Sequence, residues 1–210
     1  GGERAVIGGI CGPFSIAANL LGVAAILKSA HRTPDAVKPF IEIGLKAGIE
    51  LAKFYLQAGA DIIAIEDMMA SMTMISPKIY RELVYPYEKE LIAHIPAPSI
   101  LHICGNLDSV IGEVATAGAS AVSVDHSVNI PAAKEKFAGL NLRVPIIGAV
   151  HPLDALLNGT VEDTRKDTEM YIRQGVDIIA PGCAIAPDTA TENVIAMVET
   201  GHGQAAGASK

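Results

Sequence analysis

Two cysteines and a histidine are the groups whose types and spacing best suit chemistry. His102 and Cys104 stand two apart where the apolar run 98–103 ends, and Cys183 closes a second run, 176–182, 79 positions further on. Residues i and i+2 of a strand project from one face, so His102 and Cys104 can grip a single ion together. One imidazole and two thiolates make a three-donor zinc set that leaves a fourth position open. His-x-Cys alone is a weak pattern; the place where Cys183 falls gives it weight.

That place belongs to a quasi-repeat. Residues 58–67 (AGADIIAIED), 117–126 (AGASAVSVDH) and 174–183 (QGVDIIAPGC) read alike. Each has a glycine at its second position, Gly59, Gly118 or Gly175, as a helix C-cap in left-handed backbone requires. A short apolar strand follows. Eight positions past the glycine stands a chemically capable residue: Asp67, His126 or Cys183. Glu66 and Asp125 precede the first two. Equivalent strands therefore deliver reactive side chains to one shared rim, and the spacing between glycines accommodates two strand-plus-helix units each time. Such alternation implies a parallel sheet covered by helices.

The elements that must position these groups follow from pattern and punctuation. Strands are expected at 5–10, 61–65, 99–103, 119–124, 144–149 and 177–180. Helices are expected at 15–28, 35–57, 77–94, 107–116, 131–137, 161–174 and 191–199. Ser76-Pro77 reads as an N-cap with proline in the first turn, and Thr189 with Glu192 as a capping box. Six parallel strands with reactive C-terminal ends point to an α/β fold, most of an eight-stranded (β/α)8 barrel. Such barrels take about 250 residues, so two strands and their helices are expected to precede Gly1, the chain being N-terminally truncated. An open doubly wound sheet is the alternative. Residues 1–200 read as one domain and 201–210, small and polar, as a flexible tail.

Composition bounds the function. The chain has 210 residues, half of them apolar, and a net charge of −7 with no basic cluster, which excludes nucleic acid and anionic membrane surfaces as natural partners. Three cysteines without paired spacing fit a reducing, cytoplasmic compartment and metal use better than disulfides. The uncharged stretch 7–27 is long enough to span a bilayer, but glycines, Pro13, Ser15 and Asn19 break it into strand, turn and helix, so no membrane span is expected.

Several segments together carry a family resemblance. The run 102–106 (HICGN), 181–189 (PGCAIAPDT), 12–15 (GPFS) and 76–87 (SPKIYRELVYPY) resemble methylcobamide:coenzyme M methyltransferases, the zinc-dependent branch of the uroporphyrinogen decarboxylase superfamily, and the similarity covers residues 5–199. The resemblance implies zinc held by His102, Cys104 and Cys183. It also implies a loosely placed carboxylate near the Asp125 strand end, and an acidic position at Asp67; Asp125 and Asp67 are thus the candidate catalytic carboxylates. Where relatives carry an acidic pair, this chain has Asp125-His126. The implied reaction moves a methyl group from a methylcobamide (corrinoid), carried on a separate protein, to coenzyme M in methanogenesis or related one-carbon metabolism. A free thiol, pKa about 8.5, is deprotonated on binding zinc and can then attack an electrophilic methyl group. A decarboxylase of the same superfamily and a zinc-stapled, catalytically incomplete fragment are the alternatives. Cys11 reads as a small core residue, Glu66 as a loop or salt-bridge residue, and Tyr80, Tyr85 and Tyr87 as packing groups.

Overall fold

The structure, a computed structural model, describes residues 4–207. Six strands, β1 Ile7–Cys11, β2 Ile62–Glu66, β3 Ser99–Ile103, β4 Ala121–Val124, β5 Ile146–Val150 and β6 Ile178–Pro181, pair in chain order, every pair parallel. Consecutive parallel pairing with helical crossovers is the connectivity of an α/β barrel rather than of a doubly wound sheet. Among the described residues β1 and β6 do not pair with each other, so the sheet keeps two open edges.

The helices are α1 Pro13–Leu21, α2 Val23–Arg32, α3 Pro34–Gln57, α4 Pro77–Ile79, α5 Tyr85–Ala93, α6 Ile111–Thr116, α7 Ile130–Gly139, α8 Val161–Gln174 and α9 Thr191–Gly207. One strand face packs on them: Ile63, Ile65, Leu101, Ile103, Val122 and Val124 are all fully buried. The opposite face carries Glu66, His102 and Ser123 at one level, fixed by the register Glu66↔His102↔Ser123. Gly59, Gly118 and Gly175 have positive φ (98°, 99° and 95°), the left-handed link from helix to strand that the repeat implied.

Several elements depart from the sequence expectation. The single helix expected at 15–28 is two, α1 and α2, which meet at 110°. Gly22, at φ 84° and ψ 137°, adopts backbone closed to most other residues. Among the described residues no single helix is long and apolar enough to cross a membrane. The helix expected at 77–94 carries a π-helical turn, Tyr80–Val84, with the Tyr85 amide bonded back to the Tyr80 carbonyl. Pro86 has no N–H to continue the regular ladder, and the wider turn absorbs the mismatch. A second π turn, Pro152–Leu157, was not expected.

Ser76 does cap α4, its hydroxyl accepting from the Ile79 amide. The Thr189–Glu192 box does not form: Thr189 Oγ1 is buried without a partner, and the capping box sits instead at Thr160–Asp163. α9 continues to Gly207, past the 199 end expected for it, so residues 201–207 of the expected tail are helical; 208–210 lie outside the described residues.

Candidate metal centre

His102 is the fourth residue of β3, Cys104 follows that strand's last residue, and Cys183 lies two past the end of β6. The sheet brings them together: their donor atoms all lie within 4.8 Å of one another. Cys104 Sγ is 3.1 Å from Cys183 Sγ and 3.3 Å from His102 Nε2. Tetrahedral zinc, with Zn–S about 2.3 Å and Zn–N about 2.0 Å, sets such atoms about 3.8 and 3.5 Å apart. The donor set therefore fits that ion with a small outward adjustment of the sulfurs.

The surroundings suit ligation. His102 Nδ1 lies 3.0 Å from Ser123 Oγ and 3.3 Å from the Ser123 carbonyl. Donation of Nδ1–H to that carbonyl leaves the Nε2 lone pair facing the sulfurs, the tautomer a metal needs. Burial lowers the His102 pKa, keeping the ring neutral. Burial first, and the Cys183 sulfur second, push the Cys104 thiol up to about 12, so without a cation it keeps its proton at neutral pH. Gly182 delivers Cys183 to its place. A Cβ there would lie 2.8 Å from the His126 amide nitrogen and 3.2 Å from the Ala149 carbonyl oxygen, so only glycine permits the close approach.

The two carboxylates have different surroundings. Asp125, at the end of β4, accepts from the Ser127 amide (3.0 Å) and hydroxyl (2.9 Å). Burial alone would raise its pKa, but these bonds, the Gly105 amide and His126 hold it below the usual carboxylate range. It is an ionised group beside the cluster, and its charge opposes ionisation of Cys104 and favours protonation of His102. Among the described residues it is not part of the three-donor group. His126 Nδ1 is 2.9 Å from Asp125 but out of line for a hydrogen bond.

Asp67 sits at the same end of the sheet, yet it is fully buried and turned to the first turn of α1. It accepts from the Phe14 amide, the Ser15 amide and the Ser15 hydroxyl at 3.2, 2.7 and 2.6 Å. A Cβ at Gly12 would stand 2.3 Å from its carboxyl carbon. Asp67, expected as a catalytic candidate, thus has its carboxylate engaged by backbone and hydroxyl donors of α1. It anchors the helix after β1 to the loop after β2, where Ser15 Oγ in turn accepts from the Met69 amide.

Other residues also fall elsewhere than expected. Cys11 is exposed at the end of β1, not buried. Glu66 makes no salt bridge among the described residues; with Met68, His102, Ser123 and Cys183 it lines a cavity of about 280 Å³ on the inner face of the sheet. Asn106 ties the β3 loop to the β4 loop by donating to the Ser127 carbonyl at 2.7 Å. His151 Nδ1 accepts the Leu153 and Asp154 amides, starting the π turn, and its ring lies 3.7 Å from that of His126. Tyr80 is buried, donating to Glu88, as packing implied. The role of Ser123 was missed. Its sequence signal was its place two residues before Asp125, on the face that register aligns with His102.

A six-stranded parallel sheet in chain order with a cysteine–histidine cluster at its C-terminal mouth defines an α/β-barrel-type protein with a candidate metal site. The uroporphyrinogen decarboxylase (URO-D) family model matches residues 1–204, and the chain belongs to that family. It is 30% identical over 198 residues to methylcobamide:CoM methyltransferase MtaA of Methanosarcina barkeri, covering 94% of this chain and 58% of that protein. It is 33% identical to methylcobamide:CoM methyltransferase MtbA of Methanosarcina mazei, covering 95% and 58%. A solved methyltransferase from Methanosarcina mazei superposes with a TM-score of 0.90 at 30% identity, over 97% of this chain and 60% of that one. The chain thus spans somewhat under two thirds of the length of these relatives.

Proposed function

We propose that this chain is the metal-binding portion of a methyltransferase that moves a methyl group from a methylated corrinoid, held on a separate protein, to a zinc-activated thiol, coenzyme M. The observation that carries the reading is the convergence of His102, Cys104 and Cys183 donors within 4.8 Å. Support comes from the relatives named methylcobamide:CoM methyltransferases. In this reading His102, Cys104 and Cys183 hold zinc, which would bind the acceptor sulfur as a thiolate at neutral pH.

The chain's own residues do the rest. Ser123 fixes the imidazole tautomer, and the Asp67–Ser15 anchor holds the mouth loop. The half-open inner face, lined by Ile7, Ile100 and Ile147, offers the apolar surround in which a desolvated thiolate is most nucleophilic. Asp125 is the carboxylate nearest the role of a loose partner to the fourth position. The chain acts as one incomplete barrel domain, in the cytoplasm, with no nucleic-acid or membrane partner. A decarboxylase would leave three clustered soft donors unexplained, and a metal that merely staples the sheet would need a fourth fixed ligand.

The test is metal analysis of the purified chain and of Cys104→Ala and Cys183→Ala. About one zinc per polypeptide is expected in the parent and most of it lost in each variant; full zinc retained by Cys183→Ala removes that ligand from the site. Titration of the zinc-loaded protein with coenzyme M should show binding that disappears when zinc is removed.

A further inference from the structure

We propose that Cys104 and Cys183 form an oxidative modification site: in the metal-free protein the two sulfurs close into an intramolecular disulfide, and a bound metal prevents it. The proposal rests on the sulfur pair; only the protective half rests on the zinc reading above. The sulfurs are 3.1 Å apart although their residues are 79 apart in the chain. A disulfide bond is about 2.05 Å long, so closure asks about one ångström of approach. Both residues lie outside strands, Cys104 just past β3 and Cys183 two residues past β6, where side chains adjust without breaking a ladder. Both are half-buried, and Cys183 lines the cavity on the inner face, which gives a small oxidant a path to the sulfur.

The chemistry balances with a peroxide as oxidant. Peroxide reaches the cavity-lining Cys183 and oxidises its thiol to a sulfenic acid; the O–O bond breaks and one water is released. The second sulfur then displaces hydroxide from that sulfenic sulfur, the S–S bond forms, and the hydroxide leaves as water with the second thiol's proton. Two thiols and one peroxide become one disulfide and two waters. Metal in the site engages the lone pairs of both sulfurs that the first step needs. Cys11, the third cysteine, is exposed with no sulfur partner and serves as an internal reference.

The experiment uses the whole chain, stripped of metal by a chelator under reductant, freed of reductant, and exposed to hydrogen peroxide. It is then unfolded, its thiols are counted, and its mass and peptides are analysed. The expected result is a fall from three thiols to one, a mass lower by two hydrogens, and a linked Cys104–Cys183 peptide. Zinc-loaded protein should keep all three thiols, and metal-free Cys104→Ser should form no internal link. Persistence of three thiols in the metal-free protein, oxygen added to separate cysteines, or dimers linked through Cys11 in place of the internal bond would each overturn the proposal. If the metal-free pair closes but the chain binds no zinc, the sulfur pair stands and the proposed methyltransferase reading falls.

Discussion

At the scale of single residues, two groups away from the sulfurs carry predictions. Ser123 is the polar side chain that orients His102. Removing the partner of a ligand histidine typically weakens metal binding 10–100-fold. Ser123→Ala should therefore weaken zinc binding by about that range in competition with a chromophoric chelator, with the remaining carbonyl contact setting the lower end; unchanged affinity would remove Ser123 from the site. Glu88 is a different case. It is fully buried, one oxygen accepts from Tyr80 at 2.6 Å, and the other has no partner. Burial first, and the nearby Asp67 charge second, raise its pKa well above the ordinary value. A carboxyl raised on folding contributes stability that is full below its unfolded pKa and lost as pH rises through the folded one. Glu88→Gln keeps an acceptor for Tyr80 and cannot ionise. The variant should gain stability relative to the parent as pH increases above the usual carboxylate range, read from urea midpoints across pH 5 to 9. A difference that stays constant with pH would mean that Glu88 ionises alike in the folded and unfolded chain.

At the scale of elements, the loop after β6 is the sensitive one. Gly182 passes so close to the His126 amide and the Ala149 carbonyl that a methyl group collides with backbone on both sides. Gly182→Ala should displace Cys183 and lower zinc occupancy, with a stability loss of about 1–3 kcal/mol from overpacking, while far-ultraviolet circular dichroism stays unchanged. Full occupancy in that variant would show that the loop yields without moving the sulfur. Much at this scale was legible in the sequence. The strands were apolar runs, three of them opened by the glycines of the repeat, and the left-handed backbone of those three glycines followed from it. What escaped has physical reasons. Gly22 lies inside the short apolar run 20–27 (LLGVAAIL), so periodicity alone could not show that the chain turns by 110° there. The π turn before Pro86 reflects a missing donor that sequence marks but does not resolve into a particular turn. Asp67 was legible as a strand-end acid, but its donors come from Phe14 and Ser15, more than 50 residues away, and only packing reveals them. Cys11, next to Gly12-Pro13 with no partner spacing, read as a small core residue; it is exposed at the end of the open edge strand.

At the scale of the whole molecule, the two unpaired strands dominate. Ile7 on β1 and Ile178 on β6 are each more than half exposed, beside backbone groups free to pair with another chain. Solutions of the chain should self-associate with rising concentration in sedimentation measurements. Ile178→Lys, a charge on the edge, should reduce that association without lowering the unfolding free energy by more than about 0.5 kcal/mol, as expected of an exposed position. Equal association of parent and variant would place the contact elsewhere than the β6 edge.

The distance along the chain between the sulfurs has a consequence for when the site can exist. During synthesis Cys104 leaves the ribosome 79 residues ahead of Cys183, several seconds at ordinary elongation rates of about 5–20 residues per second. Until β6 has taken its place beside β5, the nascent chain offers an ion only His102 and Cys104. In the proposed zinc reading, capture of the ion therefore waits for β6 and reports that β3 through β6 have reached their order. On that reading, a bound ion would distinguish chains whose β6 has docked from chains in which it has not.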